Sequence, residues 1–138
     1  MRAVLDPNVI ISALLSPDGA PARALLAWLS GEFDLVVSPL LLAELERALA
    51  YPKLRKRIEP QDARGVIELL SSSAKVATDP DETPPIRSRD PGDDYLIALA
   101  SSERASLVSG DEHLLELARD IPVLSPAGFL AGLALGEP

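Results

Sequence analysis

The chain has 138 residues and no cysteine, and its 13 Lys and Arg against 21 Asp and Glu give a formal charge of −8. That length suits a single domain, 1–138, with its own hydrophobic core, and an apolar content of 47% argues against a disordered chain. Without cysteine there are no disulfides or thiolate metal sites; no apolar run approaches the roughly 20 residues that span a bilayer, and Asp6 comes too early for the apolar core of a signal peptide, so a cytoplasmic protein is expected.

Ala3-Val4-Leu5 is a short apolar run ending at an acid, which predicts a buried strand. Residues 9–15 stay apolar and turn helical, and Ser16-Pro17-Asp18-Gly19 is a loop. Pro21 opens a helix to about Leu29, stopped by Gly31. Leu35-Val36-Val37 is a second buried strand. Ser38 at the N-cap and Pro39 at the first helical position open a strong helix over 39–50. In that helix Leu41, Leu42, Leu45 and Leu49 keep the helical period and Glu44 lies among them, until Pro52 ends it. A helix is expected over 61–71, weakened by Gly65, and a short strand over 75–77. Residues 78–92, rich in proline and acid, form a loop whose acids are read as solvated. A helix over 93–103, a strand over 106–109, a helix over 111–119, a strand over 122–124 and a helix over 126–133 complete the chain. Strands alternating with helices predict an α/β fold with a mainly parallel central sheet flanked by helices. Such sheets bind ligands at the carboxyl ends of their strands.

Acids gather at those ends. Asp6 follows the first strand, Glu44 lies on the helix after the second, Asp93 and Asp94 open the helix before the 106–109 strand, and Ser109-Gly110-Asp111 follows it. Crowded carboxylates repel one another, and a divalent cation relieves that repulsion. Oxygen ligands alone suit Mg²⁺ or Mn²⁺ rather than zinc, and such a centre can activate water for phosphodiester hydrolysis. The single histidine, His113, builds no zinc site. The negative total charge runs against nucleic-acid binding, but Lys53, Arg55, Lys56 and Arg57 are clustered, and Arg87 and Arg89 precede the second acidic group. Lys53, Arg55 and Lys56 are the candidate RNA contacts, with a solvated helix end as the plain alternative.

Four segments in order carry a resemblance. Val4-Leu5-Asp6-Pro7-Asn8-Val9-Ile10-Ile11-Ser12-Ala13-Leu14 is similar to the opening motif of PIN domains, particularly VapC-like toxin components. Ser38 to Leu45, with its acid at Glu44, resembles the second motif; Asp90-Pro91-Gly92-Asp93-Asp94-Tyr95 and the apolar run after it resemble the third; Val108-Ser109-Gly110-Asp111 with Leu114-Leu115 resembles the fourth. The resemblance implies a Mg²⁺-dependent (or Mn²⁺-dependent) ribonuclease, often a homodimer and often paired with a protein antitoxin. It carries over Asp6, Glu44, Asp93 and Asp111 as the acidic, metal-holding set, with Asn8 and Ser109 as polar supports. The third acid is Asp93 or Asp94; Asp93 is preferred because Ile97 and Ala100 share its helical stripe. Pro7 stands where the family commonly has threonine and donates no backbone hydrogen bond, so local support of Asp6 is expected to differ.

Asp6, Asp93, Asp94 and Asp111 also have a plain structural role available, since all stand where helix caps and first-turn acids are favoured. Glu44, an acid inside an apolar helical stretch, is by contrast unusual unless paired or exposed. A haloacid-dehalogenase-like phosphatase also starts with a strand and an aspartate. It needs a second acid two residues on, where Asn8 stands, and a late lysine, and no lysine follows Lys75. A receiver-type domain fails for the same lack of a late lysine. A catalytically inactive PIN-like module binding RNA or protein would be marked by missing acids, and all four are present. Apolar residues at Leu25, Leu26, Trp28 and Leu29 and at Leu40, Leu41, Leu42 and Leu45 exceed what one face of each helix buries, which predicts an interaction surface.

Overall fold

The computed structural model describes residues 1–136; the last two positions of the expected 1–138 domain lie outside the described residues. Five strands form one parallel sheet in the order β3-β2-β1-β4-β5: β1 Arg2–Leu5, β2 Asp34–Val37, β3 Lys75–Val76, β4 Ser106–Val108 and β5 Val123–Leu124. The chain builds outward from β1 to β3, then returns to place β4 against the other side of β1. This reversal makes the gap between the β1 and β4 loops a topological switch point, where open α/β sheets leave a crevice. The register Leu5↔Val108 ends both strands level, so Asp6 and Ser109 emerge side by side.

Eight helices connect and flank the strands among the described residues: α1 Pro7–Leu15, α2 Ala20–Leu29, α3 Pro39–Leu49, α4 Pro52–Arg55, α5 Pro60–Ser73, α6 Asp94–Ser102, α7 Glu112–Leu115 and α8 Pro126–Ala134. Many starts follow the expected chemistry. Ser38 Oγ accepts the Leu41 amide at 3.2 Å with Pro39 at the first position, and Ser125 caps α8 in the same way through Gly128. Gly31, with φ of 80°, turns the chain after α2, a conformation that L side chains resist. Leu41, Leu45 and Leu49 present one buried stripe of α3, each side chain contributing about 1.5–3 kcal/mol by burial. α1 packs on α2 and α3, α2 on α8, and α3 on α5. No single helix among the described residues is long and apolar enough to cross a membrane.

Two expectations need correction. The helix expected over 111–119 stops at Leu115 and continues as tight turns, Leu117 to Leu114 and Ala118 to Leu115. Glu116, Ala118 and Arg119 are exposed, so no apolar stripe sustains a longer helix. The 78–92 loop is less solvated than its composition implies. Asp79 is half-buried and its Oδ2 accepts the Leu40 amide at 3.0 Å, a second cap on α3.

Candidate functional site

Asp6 is the N-cap of α1 and is buried despite its charge, 4% exposed. Its Oδ1 accepts the backbone N–H of Asn8 at 3.0 Å, and its Oδ2 accepts the Ser109 hydroxyl at 2.7 Å. Pro7 therefore removes nothing that Asp6 uses, because the capping donor lies one residue further on. Ser109 also accepts the Asp111 amide at 3.0 Å, so one buried hydroxyl ties the ends of β1 and β4 together. Asp111 caps α7 by accepting the His113 amide at 2.8 Å, which leaves its other oxygen free of that role.

Glu44 faces this pair from α3. The Tyr95 hydroxyl donates to its Oε2. Tyr95 on α6 lies within the third motif without a role assigned from sequence, and it fixes one oxygen of the acid on α3 that lines the cleft. The Asp93–Asp94 pair divides sharply. Asp94 Oδ1 accepts the Ser88 amide at 2.9 Å and so pins the preceding loop. Asp93, at the end of a 3-10 turn over Pro91–Asp93, holds its Oδ2 buried with no hydrogen-bond partner. A buried, unpartnered carboxylate oxygen is costly unless something else satisfies it.

Asp6, Glu44 and Asp93 line one cleft of about 300 Å³ with Pro7, Asn8, Arg47, Ala48 and Tyr51. Asp111 lines an adjoining depression with Val9, Ser12, Gly110 and Asn8, which both share. Electrostatics record the crowding. The Asp93 carboxyl is pushed up to about 7 by burial first, then by repulsion from Asp6, Asp90, Asp111 and Glu44. Burial also raises Asp6; the Asn8 amide and Ser109 hydroxyl oppose that rise, while Glu44 and Asp111 add to it.

The donor set is entirely carboxylate oxygen, which matches a hard divalent cation. Among the described residues no three acids or histidines already close around a single point. One oxygen each of Asp6 and Glu44 is taken by a hydroxyl. That arrangement fits a cation that keeps several waters and takes only one or two carboxylates directly, as Mg²⁺ does. The orphaned Asp93 Oδ2 is the atom such an ion would satisfy.

The basic residues lie elsewhere. Lys53 and Arg55 are on α4, Lys56 is its C-cap, and all are exposed. Arg55 lines a separate groove of about 320 Å³ between α3 and α5 with Glu46, Leu49 and Ile67. Arg89 is held by Glu116 through two bonds of 2.7 and 3.0 Å. The cation that does line the acidic cleft is Arg47, three residues after Glu44 on α3. Its spacing from Glu44 was the available signal, since residues three apart share a helix face.

Residues 2–120 match the family model described as PIN domain. An uncharacterized protein of Methanocaldococcus jannaschii is 31% identical over 117 residues, covering 85% of this chain and 75% of that protein. The fold is shared with VapBC2 from Rickettsia felis, solved with a DNA fragment from its promoter, at a TM-score of 0.62 and 15% identity over 91% of this chain and 98% of the other. It is shared also with VapBC-1 from nontypeable Haemophilus influenzae, at 0.60 and 20% identity over 92% and 99%. With the family motif spanning most of its length and the parallel sheet that carries it, the chain belongs to the PIN-domain family.

Proposed function

We propose that this protein is a metal-dependent endoribonuclease, the toxin of a toxin–antitoxin pair, acting in the cytoplasm. The observation that carries the reading is the Asp93 Oδ2, a carboxylate oxygen buried without a hydrogen-bond partner, on a residue that lines a cleft with Asp6 and Glu44. Asp6, Glu44, Asp93 and Asp111 would hold the cation. Mg²⁺ or Mn²⁺ there supplies Lewis acidity toward a phosphodiester and toward the attacking water. Ser109 and the Asn8 amide orient Asp6, and Tyr95 orients Glu44. Incubation of the purified protein with RNA, in Mg²⁺ and in EDTA, tests the reading; cleavage that EDTA leaves intact, or no cleavage at all, overturns it. The second outcome would favour a module that only binds.

Lys53, Arg55 and Lys56 are proposed to hold the RNA backbone beyond the cleft. Reversing their charge should weaken RNA binding and lower the slope of log K against log salt by about 0.7 for each lost contact to single-stranded RNA. An unchanged slope in a salt titration would leave the cluster as plain surface.

The fold neighbours named as VapBC support an antitoxin partner, and a homodimer is proposed from the motif resemblance alone. The apolar surplus read from the sequence is narrower in three dimensions. Trp28, Leu41 and Leu45 are buried in the core, whereas Leu26, Leu29 and Leu40 are 58%, 53% and 51% exposed. Covering exposed apolar side chains such as Leu26 and Leu29 of α2 by a two-fold pairing is a common solution. Sedimentation at micromolar concentration should give a dimer that Leu26→Glu with Leu29→Glu dissociates, and a wild-type monomer would remove that assignment. A bound antitoxin should suppress cleavage, so toxicity and RNA cleavage persisting in its presence would overturn the pairing.

A further inference from the structure

Glu44, Arg47 and Ala48 fall at i, i+3 and i+4, the spacing of one helix face, and Tyr51 follows just beyond the end of α3. All four line the cleft with Asp6, Asn8 and Asp93, while the neighbouring stripe of Leu41, Leu45 and Leu49 on α3 is buried. One wall of the acidic cleft thus carries an arginine and a tyrosine that the metal-holding role does not use. Arg47 is exposed and makes no ion pair or side-chain hydrogen bond among the described residues, although its wall carries Glu44 and the same cleft is lined by Asp6 and Asp93. Tyr51 is 58% exposed and stands outside the hydrophobic core. It follows the end of α3 and is the N-cap of α4, so it bridges the acidic cleft and the exposed basic turn.

A phosphodiester chain entering a cleft of carboxylates is repelled, and a cation on the rim offsets that repulsion. The arginine fork suits phosphate oxygens because it donates two parallel hydrogen bonds. An exposed aromatic ring on the lining of the same cleft, just past the end of α3, offers a flat face for a base. Stacking of this kind needs an unstacked base, which a double helix withholds. Resting on the ribonuclease reading above, we propose that Arg47 and Tyr51 form a nucleotide subsite on the cleft wall. Arg47 grips a phosphate beside the scissile one, Tyr51 stacks on an unpaired base, and the substrate is thereby restricted to single-stranded RNA.

The test uses the full chain with a short fluorescein-labelled single-stranded RNA and its duplex. Steady-state cleavage is read in Mg²⁺. Equilibrium anisotropy is read in an Asp93→Asn background, where the RNA is not consumed. Tyr51→Ala should weaken binding and raise KM about tenfold, with the loss falling on KM rather than kcat, and Tyr51→Phe should restore both. Arg47→Ala should raise KM and lower the salt slope by about one contact; Arg47→Lys should recover only part, because an ammonium lacks the fork. The duplex should be bound weakly and cleaved slowly. If wild type cleaves RNA while both alanine variants keep its KM, or if duplex and single strand serve equally, the subsite is wrong and the ribonuclease reading stands. If Tyr51→Ala loses only binding to a co-expressed protein partner, the wall is a protein interface and the subsite is overturned. If wild type neither binds nor cleaves RNA, both readings fall together.

Discussion

Asp93→Asn is expected to lower RNA cleavage at least about 100-fold, while Asp94→Asn retains most of it. Groups that only support metal ligands typically cost 10–100-fold when changed, so a carboxylate that would touch the ion belongs at or beyond the upper end. Asparagine keeps the shape of Asp93 but removes the charge that would make its buried, unpartnered Oδ2 a ligand. Asp94 does different work. Its Oδ1 accepts the Ser88 amide at 2.9 Å, and asparagine preserves that acceptor. Asp94→Ala should instead destabilise the protein by about 1–2 kcal/mol, the cost of leaving a half-buried amide without its partner, with kcat largely kept in the folded fraction. Cleavage rates and thermal melts on the three variants separate these roles. An inactive Asp94→Asn beside an active Asp93→Asn would show that the ligand and the loop clamp are exchanged.

The preference for Asp93 over Asp94 was available from helical spacing, but the reason the pair divides was not. Spacing places Asp93 on the stripe of Ile97 and Ala100, both buried. It says nothing of Ser88, six residues back in an irregular loop, whose amide claims Asp94. Strands and helix starts were legible because they rest on local chemistry: an apolar run before an acid, or serine then proline before α3. Tyr95 and Arg47 are not legible as site residues in the sequence because their placement depends on tertiary neighbours. Tyr95 matters only because α6 sets it against Glu44 on α3, 51 residues away in sequence. Asp79 likewise looks like one more acid in a polar loop until β3 carries it beside the start of α3. Pro7 misled in the other direction, since the missing amide seemed to threaten Asp6 while the donor needed was always that of Asn8.

Metal-free protein should lose stability as pH rises from about 4 to about 7, and Asp93→Asn should abolish most of that loss. The Asp93 carboxyl sits near 7 in the fold against an ordinary 3.8. The folded state therefore binds the proton more tightly than the unfolded chain, and linkage fixes the sign. Stability is fully present below the ordinary value and falls as pH passes through the folded one. Asp6 is raised too, so it acts in the same direction. In EDTA at pH 7.5 the variant should melt higher than wild type by a few degrees. On the proposed reading Mg²⁺ should reverse the order, because it would bind the native state and replace the proton that relieves the crowding. At 100 times its Kd it adds about 2.7 kcal/mol, on the order of 10 °C for a chain of this size, and the shift should shrink below pH 6, where protons compete. Asp93→Asn should show little shift at any pH. Melts of both proteins across this range, with EDTA and with millimolar Mg²⁺, read all of these at once. If the wild-type and variant curves run parallel in EDTA and Mg²⁺ moves neither, the four acids are a cluster of caps and surface charges rather than a metal centre.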